Sequence, residues 1–419
     1  MKKILALLTS LILVLAGCGG EVEGDGILTV WYWDPYINGT SIQAAADLYK
    51  ESNPDVEFNF VETSRDDMQT KFTTAALAND MSSLPDVILL GDDIAPMYLS
   101  VYTDLFADNL NSSIDYTNFP SYKVDPMTLD GTTYGVPFDN GVSGLYCNKQ
   151  IVEDAGLSIK DFSDLTWTEF NNLGSQIRTE TGKYAYSWSA ITNLRNLVHS
   201  AGVDYVNEDG SVNIADNEVL KSSMATMQSM YDEGYVYDAV DWTDYVSSIS
   251  NGDAACTVSG AWFVPTIKQI EGGEGNWFIA PVPSLDGVEN AANATAEGGS
   301  SWYILNNGDQ DMAADFLTTT LGTSVELYEQ LLTEVGLVAT YLPAADSETY
   351  KSGDDFFGGE TIYSNFLEWS SEVPPYLILE NAQVAQDALG TYINAVVKGE
   401  MTVEEGVEQA QAQADQTAV

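Results

Sequence analysis

The apolar positions of the chain keep two rhythms in turn. Ile27 to Trp33 is an apolar and aromatic run of strand character, and Ile42, Ala45, Ala46 and Tyr49 then recur at helical spacing until Pro54 stops the pattern. Val56, Phe58 and Phe60 alternate with polar residues, as a strand with one covered face does. Asp67–Ala78 reads as helix, and Pro85 introduces the short buried strand Asp86–Leu90. Strand, helix, strand, helix, strand predicts a parallel sheet with helices on its faces. Ligands of such sheets bind beyond the carboxyl ends of the strands, where Trp33-Asp34 and Asp92-Asp93 stand.

Further along, a loop-rich stretch leads to Tyr134–Gly141 and then to a strand-like Leu145–Asn148. Thr166-Trp167-Thr168-Glu169 is a capping box that opens a helix, and Thr402-Val403-Glu404-Glu405 is another. Helical stretches are expected near Thr192–Ser200, Glu218–Tyr231 and Thr243–Ser250. A strand at Thr257–Gly260 runs into Ala261-Trp262-Phe263, and Gly298-Gly299-Ser300-Ser301 begins the strand Trp302–Leu305. No tandem repeat is present.

A chain of 419 residues exceeds what one hydrophobic core usually serves, so two domains or lobes are expected. Charge narrows the partners. Lys plus Arg total 15 against 63 Asp plus Glu, a net −48, and such a surface repels nucleic acid and anionic headgroups. The acids are spread along the chain, as in a solvated coat. Besides Cys18 only Cys147 and Cys256 occur, both in apolar strand-like contexts. Buried free thiols are the expectation, with a disulfide between them left open because sequence gives no distance.

The first residues add a location. Lys2 and Lys3 precede the apolar run Ile4–Ala16, which ends in Leu15-Ala16-Gly17-Cys18. The run is shorter than the roughly 20 apolar residues of a lasting transmembrane helix, and it reads as a secretory signal. Small residues before a cysteine resemble a bacterial lipoprotein signal, in which Cys18 becomes the lipid-bearing N-terminus. An ordinary signal peptide with an incidental Cys18 is the plainer alternative. Residues 19–26 are short, polar and Gly-rich, a tether between lipid and body.

Little supports catalysis. The one histidine, His199, lies on an expected helix, which excludes H-E-x-x-H zinc chemistry. G-x-S-x-G and G-x-x-x-x-G-K-[ST] are absent, and no D-x-[DN]-x-[DN]-G loop or other metal or cofactor motif occurs. Carboxylate pairs for glycoside hydrolysis arise by chance among 63 acids. Binding fits better. A sugar presents hydroxyls to Asp and Asn and an apolar C–H face to flat aromatic rings. Trp33-Asp34-Pro35-Tyr36, Phe138-Asp139-Asn140, Asp241-Trp242 and Ser301-Trp302-Tyr303 combine those types, and no Lys or Arg stands beside them. A neutral ligand in a cleft without cations is expected; a polyamine, or a secreted carbohydrate-active enzyme, is the alternative.

Several segments in shared order resemble the extracellular solute-binding proteins of carbohydrate ABC importers, family 1. They are Leu28-Thr29-Val30-Trp31, Tyr49–Val56, Leu84-Pro85-Asp86-Val87, Tyr134–Asp139 with Gly144–Lys149, Thr166–Phe170, Asn251–Ala255 with Ser259–Trp262, and Gly298–Tyr303. Cys147 and Cys256 depart from the residues usual there. The resemblance implies an α/β, two-lobed periplasmic-binding-protein-like (type II) fold with a hinge and an interlobe cleft. Residues 27–140 with 299–343 would form lobe 1, and 144–296 with 350–419 lobe 2. Crossings would fall near Asp139–Ser143, Ala296–Gly299 and Pro343–Tyr350. It further implies a monomeric, lipid-anchored binder on the outer face of the cytoplasmic membrane. Such a binder hands a neutral mono- or oligosaccharide to ABC permease subunits and does no covalent chemistry. By motif position, Trp262, Trp302 and Trp33 would stack, Asp34, Asp139 and Asn140 would bind hydroxyls, and Gly299 would admit a ring close to the backbone. Tyr36, Asp93, Trp242 and Tyr341 are second choices.

Overall fold

The computed structural model describes residues 26–418, apart from 79, 377, 378 and 380. The leader and Cys18 lie outside the described residues. Among the described residues, no helix is long and apolar enough to cross a membrane.

Among the described residues, twelve strands follow in order: β1 (Ile27–Tyr32), β2 (Glu57–Glu62), β3 (Val87–Gly91), the small hairpin β4 (Thr128–Leu129) and β5 (Thr132–Thr133), β6 (Gly135–Asp139), β7 (Ser143–Asn148), β8 (Tyr184–Trp188), β9 (Val236–Asp238), β10 (Ala254–Gly260), β11 (Trp277–Ala280) and β12 (Ser300–Ile304). Two five-stranded sheets result, β2-β1-β3-β12-β6 and β11-β7-β10-β8-β9. The parallel reading holds for β1 with β2 and β3. It needs correction beyond them, because β12 runs antiparallel to both β3 and β6. That strand returns from the other sheet and enters from the opposite end.

Residue pattern explains the layers. β3 and β12 are buried at every position because helices cover both faces of their sheet. Leu28, Val30, Val87 and Leu89 pack with Ile42, Ala45 and Tyr49 of the helix Thr40–Lys50 on one face. Trp31, Ile88 and Leu90 pack with Met68, Phe72 and Ala75 of Arg65–Ala78 on the other. The edge strand β2 keeps its alternation, half-buried against exposed. In the second lobe Leu145, Cys147, Tyr186 and Phe278 face a core closed by the helices Trp167–Thr181, Glu218–Asp232 and Ala382–Val397. Thr166 with Glu169, and Thr402 with Glu405, form the capping boxes read from sequence. β8, β9 and β11 escaped that reading because their short runs carry no alternation.

The expectation of free thiols is also corrected. Cys147 of β7 and Cys256 of β10 are directly opposed, with Cα atoms 4.2 Å apart, and form a disulfide. Register across a sheet brings them together over a separation of 109 residues.

The chain passes between the sheets three times. Residues 140–142 join β6 to β7, and 281–299 join β11 to β12. The third passage follows the helix Val325–Val335, which packs on Thr40–Lys50. The later helix Ile362–Glu372 instead places Phe366 against Tyr146 of β7, ring centroids 6.2 Å apart. Bridges Asp139–Ala339 and Val142–Ala296 bind the three passages side by side.

A body carrying a net −48 repels itself. Raising NaCl from about 0.02 to 0.5 M shrinks the screening length from roughly 20 Å to a few Å, so the melting temperature should rise. A flat or falling curve would show that the carboxylates do not strain the fold.

Candidate functional site

The site grows from strand ends. Trp33 and Asp34 follow β1, Asp92 and Asp93 follow β3, and Asp139 closes β6. Asp34 caps the next turn by accepting from Ile37 N, while Asn38 Oδ1 accepts from Asp34 N at 3.1 Å. From the second lobe come Trp262, just after β10, and Arg195 on the helix Ala190–His199. The passage into β12 runs between them. Trp33, Asp34, Asp93, Asp139, Trp262 and Gly299 thereby border one cavity of about 500 Å³, a size suited to a small organic ligand.

That passage is fixed on every side. Glu297 N donates to Gly141 O at 2.7 Å, and the Trp262 indole Nε1 donates to Glu297 O at 2.8 Å. Asp92 N donates to Gly299 O at 3.0 Å. Ser300 gives both its N–H and its hydroxyl to Asp139 Oδ1. Beneath lies Lys123, whose side chain has no exposure; it pairs with Asp92 and donates to Ser300 O at 2.9 Å. Ser301 Oγ donates to Asp92 Oδ1 at 2.9 Å. Gly299 has φ +107°, and a Cβ there would strike the Asp92 carboxylate and approach Lys123 Nζ to 3.1 Å. The positive φ and the ion pair under it both favour glycine there, on the cavity wall.

The expectation of a cleft without cations is wrong, since Arg65 and Arg195 both line it. They arrive on helices remote in sequence from the aromatic clusters. Each is matched by acid. Arg65 pairs with Asp93 and lies over the Trp33 ring, 5.6 Å from its centroid. Arg195 acts on Glu297, whose carboxyl burial pushes up while Arg195 and Asn196 hold it down. Asp34, Asp93, Asp139 and Glu297 thus outnumber the two arginines on the wall.

Other candidates lie elsewhere. Trp302 is 0% exposed, packed edge-on against Phe138 at 5.6 Å in the core of the first sheet, because a β12 position buried on both faces points it inward. Asn140 is buried between passages: its Nδ2 donates to Ala339 O at 2.9 Å and its Oδ1 accepts from Val142 N at 3.0 Å. Tyr341 packs on Phe119 and Tyr328. Tyr36 is 58% exposed outside the cavity, its hydroxyl toward Glu334 O at 3.4 Å. Trp242 stands apart from the main cavity but beside Trp262, ring centroids 5.9 Å apart.

Residues 33–323 match the bacterial extracellular solute-binding proteins. The chain belongs to that family. A lactose-binding protein of Rhizobium radiobacter is 36% identical to this solute-binding protein over 379 residues, 89% of each chain. An arabinooligosaccharide-binding protein of Halalkalibacterium halodurans is 24% identical, over 94% of this chain and 90% of its own. Among solved structures, the cyclic alpha-maltosyl-1,6-maltose binding protein of Arthrobacter globiformis superposes with TM-score 0.77 at 21% identity, covering 93% of this chain and 98% of that one. The sugar-binding protein MalE of Xanthomonas citri gives 0.78 at 18%, covering 93% and 96%. At such identities the likeness shows the fold, the two-lobed type II arrangement.

Sequence reasoning missed Arg65, Arg195, Lys123 and Glu297 in this solute-binding protein, and it placed Asp92 at a strand end without its buried lysine partner. Glu297 carried a signal, since it stands inside the Ala296–Gly299 segment named as a passage. Lys123 carried none: a lone lysine gives no hint of burial.

Burial pushes the Asp92 carboxyl up to about 6 against the pull of Lys123. A carboxyl raised in the fold favours the folded state at low pH, and that contribution is lost as pH rises through about 6. Lys123→Met should therefore cost about 3–5 kcal/mol in denaturant titrations at pH 8. The loss should be clearly smaller at pH 5, where Asp92 can take a proton. Equal losses at both pH values would contradict the pair. Trp302→Ala should cost about 3–5 kcal/mol as a core truncation, and an unchanged stability would return Trp302 to the cleft.

Proposed function

We propose that this solute-binding protein captures a neutral saccharide between its lobes and delivers it to the membrane permease of an ABC importer. The carrying observation is the Trp262 indole, half-buried and held by its Nε1, on a wall where Asp34, Asp93, Asp139 and Glu297 stand with Arg65 and Arg195. An aromatic face beside carboxylates suits the two surfaces of a sugar, and carboxylates in excess of the arginines leave no surplus of positive charge for an anionic solute. The printed names of the relatives, lactose-binding and arabinooligosaccharide-binding, support the same class. A polyamine is disfavoured by two guanidinium groups on the wall.

In this reading lobe 1 comprises 27–140 and 299–343, lobe 2 comprises 144–296 and 350–419, and the passages act as the hinge. Closure on the sugar extends only as far as the closed form makes added contacts. The protein works as a monomer at the outer face of the cytoplasmic membrane, tethered by lipid on Cys18, and leaves its ligand chemically unchanged.

A thermal-shift screen of mono- and oligosaccharides, beginning with lactose, tests this. A sugar at about 100 times its Kd stabilises by about 2.7 kcal/mol, a rise of several degrees. Trp262→Ala should abolish the rise, measured from that variant's own ligand-free melting temperature. A rise with spermidine and none with any sugar would overturn the reading, as would shortened oligosaccharide products after incubation.

A further inference from the structure

We infer that His199 is a proton switch on solute affinity: with its ring neutral the protein holds the solute, and a proton on the ring loosens that hold. This rests on the saccharide reading above and adds the regulation of the same site.

His199 is the one histidine of the chain and closes the helix Ala190–His199, with 4% of its surface exposed. Its ring stacks on Tyr376, centroids 3.8 Å apart and planes inclined by 19°. Tyr376 is held there by the two prolines before it, which press on the loop after His199: a Cβ at Gly202 would meet Pro374 Cβ and Pro375 O at 3.2 Å. His199 Nδ1 has no hydrogen-bond partner among the described residues, and neither has the Tyr205 hydroxyl. His199 Nε2 stands 3.4 Å from Asp204 Oδ2 without hydrogen-bond geometry. His199, Tyr205 and Tyr376 border a cavity of about 40 Å³, too small for a sugar ring and large enough for the water that brings a proton. The imidazole is thus free to accept a proton, at the cost of a charge away from bulk water.

This small cavity shares its walls with the cleft, since Asp93, Arg195 and Gly298 border both. The groups around the imidazole have named sources. Its own helix supplies Arg195, one turn earlier and on the same face. The following loop supplies Asp204 and the Tyr205 phenol, and the segment opposite supplies the Tyr376 phenol. The end of β3 supplies Asp92 and Asp93, which are already paired with Lys123 and Arg65. The helix Ala382–Val397 offers only the uncharged Gln383 and Gln386. Burial holds the His199 imidazole below its ordinary value, Asp204 draws it up and Arg195 draws it down. A neutral sugar in the main cavity removes water from around Arg195, and a guanidinium less screened repels an imidazolium more strongly. Bound solute therefore disfavours the proton, and by linkage the proton disfavours the solute by the same factor. Affinity is full above the ordinary imidazole range and declines as pH falls below about 6.5.

With one histidine in the chain, proton NMR titration of the full protein, carrying no histidine tag, reads this ring alone. Its midpoint should lie below about 6.5 without ligand, and about one pH unit lower when the protein is saturated with the saccharide of largest thermal shift. Calorimetric titration of that saccharide at about pH 7.5 and about pH 5 should show wild type losing at least about threefold more affinity than His199→Phe, which keeps a ring without a titrating nitrogen. Asp92, pushed up to about 6, and Glu297, also raised, titrate in both proteins and drop out of that difference. His199→Gln is the second variant, and the NMR titration needs neither. A midpoint unmoved by the saccharide, or equal losses in wild type and variants, would overturn the switch and leave the saccharide reading standing. If no sugar binds at either pH, both fall.

Discussion

A lysine ammonium shut off from water and paired with Asp92 sits under the strip of backbone that carries the chain from the second sheet into the first. The cleft takes its shape from that strip. Lys123 holds Ser300 from below, Asp139 holds it from the side, Gly141 meets Glu297, and Trp262 reaches across from the other lobe to the Glu297 carbonyl. A buried charge pair is rarely a net source of stability, because desolvation offsets most of the attraction. Its value here is positional: it fixes a glycine-rich strand that a purely apolar floor would leave less defined.

The same strip joins energetics to recognition. Glu297 is carried by a passage that belongs wholly to neither lobe, and it faces the main cavity. Its main-chain atoms are bonded to the neighbouring passage at Gly141 and to Trp262 of the second lobe. A ligand touching its side chain therefore touches a passage that joins the two sheets. The surface as a whole is strongly acidic, yet the cleft wall mixes guanidinium and carboxylate groups, with Arg65 on Asp93 and Arg195 beside Glu297. Net charge thus describes the coat and says little about the pocket, where local pairing decides which solute is tolerated.

Much of this architecture was legible in the residues. Period-two and period-3.6 patterns located β1, β2, β3, β10, β12 and the helices around the first sheet, and the capping boxes located two helix starts. The strand-end rule pointed to Trp33, Asp34 and Asp93 and motif position to Asp139, and all four border one cavity. What stayed hidden depended on register or on long-range approach. Trp302 and Trp262 look alike in sequence, each an indole beside small residues, but one lies on a doubly covered strand and the other just beyond a strand end. Asn140 has the chemistry of a hydroxyl ligand and spends it tying passages together. Cys147 and Cys256 meet only because β7 and β10 pair in one register. Arg65 and Arg195 enter the cleft from helices whose local sequence carries no mark of it.

The most direct test of the central claim is a crystal structure of the protein with the saccharide it binds most tightly. The account places a sugar ring against the Trp262 indole, with hydroxyls within about 3 Å of the Glu297 carboxylate and the strip 297–300 in the course described here. Saccharide density away from Trp262 and Glu297, or a strip displaced from Lys123 and Asp139 in the complex, would contradict it.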